Sequence, residues 1–278
     1  KLTYEYNLRD WLTGIKSSKF SQNLYYNTGN GTVCYNGNIS SMIWKCGTES
    51  VTRGYKFTYD GLNRLKSAVY GEGTTISDNT GRFSENITEY DRNGNIASCQ
   101  RYGKASSTAY GIIDNLTIAY NGNQLKYAND AAADPLYNGV FNFVNGSNST
   151  GNEYVFDKNG NLQQDYNKKV AKVQYNQLNL PSVLQFINGN RVDYLYDADG
   201  IKRLVTHKIA IANISVPMGQ IKDLTNSQIS QTQTTDYCGN VIYENRILSK
   251  IQTEEGYITL NGNSPTYHYY LKDHQGNN

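Results

Sequence analysis

The fold follows from one stretch of sequence, Tyr55-Lys56-Phe57-Thr58-Tyr59-Asp60-Gly61-Leu62-Asn63-Arg64-Leu65-Lys66-Ser67-Ala68-Val69-Tyr70. Aromatic and polar residues alternate from Tyr55 to Tyr59, which places the three aromatic side chains on one face of a strand. Asp60 and Gly61 supply turn chemistry, because Asp hydrogen-bonds nearby backbone and Gly accepts a positive φ. Residues 65–70 then form a returning strand. The stretch therefore predicts a β-hairpin.

The same phrase recurs from one end of the chain to the other. It consists of an aromatic residue, Asp or Asn, a turn that contains Gly, and an apolar residue. Clear copies are Tyr90-Asp91-Arg92-Asn93-Gly94, Phe156-Asp157-Lys158-Asn159-Gly160 and Tyr196-Asp197-Ala198-Asp199-Gly200; further copies include Tyr35-Asn36-Gly37, Tyr120-Asn121-Gly122 and Tyr237-Cys238-Gly239. In the clear copies Gly lies three residues after Asp, as a type I turn with a left-handed fourth residue requires. The rings before the turns are expected to stack in a row.

The copies are unevenly spaced, at intervals of roughly 20 to 40 residues, whereas repeats that close on themselves keep a tighter period. Uneven spacing argues against a β-propeller or a β-helix and favours an open, curved sheet. We predict an all-β fold, a long spiralling ribbon of antiparallel β-hairpins, with residues 1–278 as a single array. Long polar connections are expected at 71–81, 128–134 and 145–152, and the longest departure from the pattern at 209–236.

The composition excludes several classes of function. The chain has 25 Tyr and only 4 Pro among 278 residues, a composition that favours strands. Its formal net charge is +2 and it has no run of Lys or Arg, so no nucleic-acid partner is expected. No apolar run reaches the ~18 residues of a membrane-spanning helix.

The cysteines give no sign of a metal site, because none of them has the close pairing that such sites use. They are Cys34, Cys46, Cys99 and Cys238. A disulfide between Cys34 and Cys46 remains open, beside the favoured interpretation that all four are small buried side chains. We expect neither a metal nor a cofactor.

Residues with catalytic or ligating chemistry are better explained as structural residues. A calcium loop starting at Asp197 fails because Lys202 stands where an EF-hand has Gly. Carboxylates that recur at turns are wrongly placed for one glycosidase cleft. His207, His268 and His274 are far apart in sequence and have no nucleophile beside them. Trp11 and Trp44 are expected to pack on strand faces, with sugar stacking as the alternative.

The repeated phrases resemble the YD (tyrosine–aspartate) repeats of the Rhs family over nearly the whole chain. Residues 57–65 are close to the consensus sequence of the family's repeats. Residues 235–278, which include Tyr267-His268-Tyr269-Tyr270-Leu271-Lys272-Asp273-His274-Gln275-Gly276-Asn277, resemble the start of the Rhs repeat-associated core, with wording most similar to Bacteroidetes versions. The resemblance implies a β-sheet ribbon that spirals into a hollow shell.

The resemblance also implies a role. Such a shell encapsulates or presents a C-terminal toxin for delivery, so the expected partners are that toxin domain, the remainder of the shell and a secretion apparatus, and the expected location is secreted or at the cell surface. Asp273 matches the aspartate of the family's Asp-x-x-Gly-x-x-Arg phrase and is a weak candidate for self-cleavage. The Arg of that phrase would fall one residue beyond Asn278, so we expect this chain to be neither a protease nor a toxin.

The alternative function is a cell-surface repeat module that binds carbohydrate or a protein partner. The unpaired outer strands of an open ribbon are expected to cause self-association.

Overall fold

The computed structural model describes residues 2–135, 139–147, 151–262 and 264–277. Within these residues the chain forms β-strands, turns and a single short 3-10 helix, Asn226–Gln228. The strands make two sheets, and in each sheet every strand is hydrogen-bonded to the next one in the chain. The predicted all-β, antiparallel hairpin fold is confirmed.

The first compact unit comprises residues 1–145 together with 271–278. Its ten-stranded sheet follows chain order. The strands are β1 Thr3–Tyr6, β2 Leu12–Lys16, β3 Phe20–Tyr25, β4 Ser41–Cys46, β5 Arg53–Tyr59, β6 Leu65–Glu72, β7 Glu85–Tyr90, β8 Ile96–Lys104, β9 Tyr110–Asn121 and β10 Gln124–Asp130.

The second compact unit comprises residues 146–270 and has an eleven-stranded sheet, also in chain order. The strands are β11 Tyr154–Phe156, β12 Leu162–Asp165, β13 Val170–Tyr175, β14 Pro181–Phe186, β15 Arg191–Tyr196, β16 Lys202–Ala210, β17 Ile229–Cys238, β18 Val241–Glu244, β19 Ile247–Thr253, β20 Gly256–Asn261 and β21 Ser264–Tyr269. The repeated sequence pattern continues through both units. That residues 1–278 form a single repeat array stays a prediction.

A buried loop side chain closes one face of the first sheet. Gly54 and Gly71 lie opposite each other on β5 and β6, and Ile76 from the following loop packs over them at 1% exposure. A Cβ on Gly71 would lie 2.7 Å from Ile76 Cγ2, so glycine is needed for this close approach. β6 ends at Glu72, so the connection predicted at 71–81 starts two residues later than expected. Ile76 holds this connection against the sheet.

The long connection of the second unit is also packed against its sheet. β16 extends to Ala210 and β17 begins at Ile229, so the departure predicted at 209–236 contains a connection of residues 211–228. Residues 231–235, which the sequence indicates as an exposed strand or loop, lie in β17 and are mostly exposed. Val216 is 2% exposed, and its amide donates to the Ile187 carbonyl (2.8 Å). The mostly polar composition of this connection gave no sign that Val216 is buried.

Two other predicted connections have different outcomes. The one at 128–134 was wrong at its start, because β10 continues to Asp130 and Ala128 is buried within it. The one at 145–152 lies partly outside the described residues.

Candidate functional site

The repeated turn is a compact hydrogen-bonded unit, best seen at Asp60. The Asp60 amide donates to the Arg64 carbonyl (2.9 Å), and the Asn63 amide donates to the Asp60 carbonyl (3.0 Å). Asp60 Oδ1 accepts from the backbone amides of Leu62 (2.8 Å) and Arg64 (2.9 Å), while Oδ2 accepts from Arg64 Nε (2.7 Å). The aspartate thus holds the turn by itself, as an Asx turn does.

The same backbone and Oδ1 hydrogen bonds recur at six more positions, and the first residue of each turn is always Asp or Asn. These residues are Asn7, Asp91, Asp157, Asn176, Asp197 and Asp273. Turn formation therefore explains the recurring aspartates without any bound ion.

The fourth residue of each of these turns is left-handed. Gly94, Gly160 and Gly200 have φ between 80° and 88°, as predicted. In the first hairpin the prediction was wrong, because Gly61 has no positive φ and Asn63 has φ 62°. Asn and Asp tolerate this region better than most side chains, and Asp10 (φ 57°) occupies the same position in the Asn7 turn. The turn therefore needs Gly, Asn or Asp at the fourth position and has no such need at the second.

Hydrogen bonds lower the pKa of the turn carboxyl groups. The backbone amide of the residue four positions on is the largest contribution at Asp60 and Asp197, and the Asn side chain at that same position is the largest at Asp91 and Asp157. Each of these interactions favours the ionised carboxylate.

Two copies of the phrase use a shorter turn. Asn121 pairs with Gln124, and Cys238 pairs with Val241, which leaves two-residue loops that begin at Gly122 (φ 63°) and Gly239 (φ 66°). Glycine at the first loop position is typical of a type II′ hairpin. The same aromatic-Asx-Gly pattern in the sequence therefore forms two different turns: the longer turn with a left-handed fourth residue, and the two-residue hairpin loop.

The tyrosines before the turns act through their hydroxyl groups. Five of these hydroxyls donate to the carbonyl that follows the preceding turn: Tyr26 to Leu12 (2.8 Å), Tyr59 to Ile39 (2.8 Å), Tyr90 to Leu65 (2.6 Å), Tyr120 to Ile96 (3.1 Å) and Tyr175 to Leu162 (2.7 Å). The predicted row of stacked rings at these positions was wrong, since no ring contact joins Tyr59, Tyr90 and Tyr120 within the described part of the chain. Tyr196 stacks only on Tyr194 of its own strand (6.5 Å).

Side-chain amides also link neighbouring turns. Asn36 Nδ2 donates to Asn63 Oδ1 (2.7 Å), Asn95 Nδ2 to Asn123 Oδ1 (3.2 Å) and Asn161 Nδ2 to Asn179 Oδ1 (2.6 Å). Sequence reasoning missed this role, although the recurring Gly-Asn pairs at 94–95 and 160–161 carry the signal.

A continuous row of aromatic rings does exist, but it runs across the first sheet at other positions. Trp44, Tyr55, Tyr70, Phe83 and Tyr110 contact each other in that order, with centroid separations of 5.6, 5.6, 5.1 and 5.3 Å. Burial raises the pKa of Tyr55 and of Tyr70 to about 12. Trp44 packs on Tyr55 and Trp11 contacts Tyr26 (5.0 Å), in line with strand-face packing.

Asp273, the candidate for self-cleavage, is the first residue of a turn. Its Oδ1 accepts from the amides of Gln275 (2.9 Å) and Asn277 (2.8 Å), and its Oδ2 accepts from Asn277 Nδ2 (3.1 Å). Partial burial opposes ionisation, but the hydrogen bonds from Asn277 and Gln275 hold the pKa of Asp273 below its ordinary value. The turn packs on the first unit, where the His274 amide donates to Gln22 Oε1 (3.2 Å).

The remaining candidates do not converge. His268 stacks on Tyr257 (4.4 Å) and bonds Thr259 Oγ1 (2.9 Å). Cys34 and Cys46 are unpaired thiols. The prediction of buried cysteines was wrong, because Cys46 and Cys238 are exposed and Cys34 and Cys99 are half-buried. No group of three His, Cys, Asp or Glu side chains within the described residues is placed to hold a metal ion. Over the same residues, no helix is long and apolar enough to cross a membrane.

The fold and its turns define an antiparallel β-hairpin repeat protein. Its fold is similar to a crystal structure of TcdB2-TccC3, with a TM-score of 0.55 and 13% identity over 99% of this chain. It is also similar to the Tc holotoxin pore of Photorhabdus luminescens (TM-score 0.54, 12% identity, 100% of this chain) and to TcdB2-TccC3-Cdc42 (TM-score 0.54, 13% identity, 99%).

The chain spans 14% of the length of each of those chains. No family model matches the sequence. A comparison with curated proteins finds no match.

Proposed function

We propose that this chain is a segment of the wall of an Rhs-type shell that encapsulates or presents a C-terminal toxin domain. The observation that carries the proposal is the similarity of fold to Tc toxin chains over 99–100% of the sequence. The Rhs-like wording of the turn phrases supports the same assignment. On this proposal the hairpin ribbon continues into a hollow shell, whose remainder and toxin domain are its partners.

The hairpin array suits a wall physically. Each strand pairs with its neighbours in chain order, so stability accumulates from local hairpins and the contacts between them. Tyr hydroxyls and Asn amides make hydrogen bonds between several neighbouring hairpins. A wall of this kind needs no central catalytic pocket.

The proposed role is structural and non-enzymatic. Both oxygens of Asp273 already accept hydrogen bonds within its turn, which supports a turn role over a catalytic one. Delivery of a toxin implies a secreted or cell-surface location and a secretion apparatus as a further partner.

Protease protection of the cargo tests the shell. The full-length protein that contains this chain is digested, and the survival of the polypeptide after residue 278 is compared with that of the same polypeptide expressed alone. We expect much slower digestion in the full-length protein. Equal digestion rates, or saturable binding of the chain to glycans at micromolar concentration, would favour the surface-module alternative.

Asp273→Asn in the full-length protein tests the non-enzymatic role. Asn forms the same turn at Asn7 and Asn176, so this change removes the titratable group while keeping the fold. We expect an unchanged fragment pattern on a gel. Cleavage in the wild type that is lost in Asp273→Asn would show that Asp273 is catalytic.

A further inference from the structure

The first unit contains a cleft that the shell role does not use. It lies on the face shared by β3, β4 and β5 and has a volume of about 510 Å³, within the range of small-ligand sites. Its apolar lining consists of Phe20, Met42, Trp44, Tyr55 and Leu271. The Asp273 turn forms one wall, so the cleft is deeper than a flat sheet face.

The strand register explains why these side chains converge. Gln22 pairs with Trp44, and Met42 pairs with Tyr55, so side chains of the same face line up across three strands. Trp44 and Tyr55 lie nearly parallel, with an interplanar angle of 20°. Trp44 is only partly buried, which leaves indole surface available to a flat ring.

Most polar groups in the cleft already have partners. Asp273 and Asn277 bond each other within the turn. Gln22 accepts from the His274 amide through Oε1 and directs Nε2 to Met42 Sδ (3.8 Å). Of the charged residues that line the cleft, Lys19 is the one with no ion pair or side-chain hydrogen bond of its ammonium group within the described chain.

We propose that this cleft binds a small planar aromatic anion, with the ring stacked on Trp44 and the carboxylate directed to Lys19. The apolar floor selects the ring. The unpaired ammonium of Lys19 attracts a negative charge, whereas the oxygens of Asp273, the other charged residue of the lining, are hydrogen-bonded within its own turn. This inference rests on the cleft alone and is independent of the shell proposal.

Calorimetric titration of the intact chain tests the charge preference. The probes are 2-naphthoate and its neutral analogue 2-naphthamide, which share the ring but differ in charge. We expect saturable binding, tighter for the carboxylate.

Lys19→Gln should weaken the binding of 2-naphthoate by about threefold, as expected of an exposed ion pair, and leave the binding of 2-naphthamide unchanged. Lys45→Gln is the matched control, because Lys45 follows Trp44 on the same strand but alternates to the opposite face.

Cysteine alkylation locates the ligand independently. Cys46 lines the cleft and is exposed, whereas Cys238 is exposed in the second unit and serves as an internal control. We expect saturating 2-naphthoate to slow the reaction of Cys46 with iodoacetamide, measured by mass spectrometry, and to leave Cys238 unaffected. Absence of saturable binding, equal affinity for the amide and the carboxylate, or equal slowing of both cysteines would overturn the proposal.

Discussion

At the scale of single residues, the turn depends on which position is left-handed. Asn63 and Gly94 occupy the same fourth position, with φ 62° and 88°. Gly61 has ordinary backbone geometry, and a Cβ added to it would meet no atom within 4 Å. The Asp-Gly pair at 60–61 is typical of a turn in which glycine adopts a positive φ. Gly61 does not adopt one, so this turn does not require glycine at that position.

This difference gives a direct prediction. Gly94→Ala should lower the free energy of unfolding by about 1 kcal/mol, because alanine is strained at positive φ. Gly61→Ala should change it by less than about 0.5 kcal/mol. Urea unfolding of both variants measures the contrast, and equal losses would show that the turn geometry is wrong.

The turn aspartates predict a dependence of stability on pH. Asp91 and Asp157 have pKa values below the ordinary value of 3.8. A carboxyl group with a lowered pKa in the folded state contributes stability that is fully present above its unfolded pKa and is lost as pH falls through its folded pKa. We therefore expect the Tm to fall progressively as the pH drops below about 4.

The double variant Asp91→Asn, Asp157→Asn provides the control. The amide keeps an oxygen acceptor for the turn but does not titrate, as at Asn176. Its Tm should fall less steeply with acidification than that of the wild type. Parallel Tm profiles for the two proteins would rule out these carboxylates as the origin of the acid sensitivity.

At the scale of elements, the tyrosine hydroxyl joins one hairpin to the previous one. Tyr90 Oη lies 2.6 Å from the Leu65 carbonyl oxygen, and Arg64 packs over the Tyr90 ring at 4.2 Å. Four other pre-turn tyrosines make the equivalent hydrogen bond. Tyrosine at this position therefore has a role that phenylalanine cannot fill.

Tyr90→Phe should destabilise the chain by about 0.5–1.5 kcal/mol, because it leaves the Leu65 carbonyl without its donor. Tyr35→Phe is the control, since Tyr35 is 65% exposed and its hydroxyl makes no such bond within the described residues. Denaturant unfolding measures both. A Tyr90→Phe variant as stable as Tyr35→Phe would refute the hydroxyl link.

At the scale of the whole molecule, open sheets have outer strands. Within the described residues β1 pairs with β2 alone, and it presents Tyr4 and Tyr6 at 49% and 60% exposure. β21 is also an outer strand, but Pro265 removes one backbone donor from it. Of β1 and β21, the outer strands nearest the two ends of the chain, β1 is therefore the better edge for pairing with a second copy.

We predict that the isolated chain self-associates through β1. Sedimentation velocity over a range of concentrations should show reversible association. Tyr4→Lys should weaken it by about fivefold, or about 1 kcal/mol, because charge on an edge strand opposes pairing. Leu62→Lys, at an exposed turn position, should have no effect. A monomer at every concentration would contradict the prediction.

Sequence alone was enough to predict the all-β class, the hairpin order and most turn positions. These depend on local interactions: alternation sets the strand faces, and an Asp or Asn side chain bonds amides two and four residues on. Tertiary packing was needed to show where Tyr90 sends its hydroxyl, that Ile76 fills the gap above Gly54 and Gly71, and that the strands divide into two sheets. Those contacts join residues that are far apart in the sequence. Which residues meet depends on packing and on the lengths of variable loops, and a local sequence pattern encodes neither.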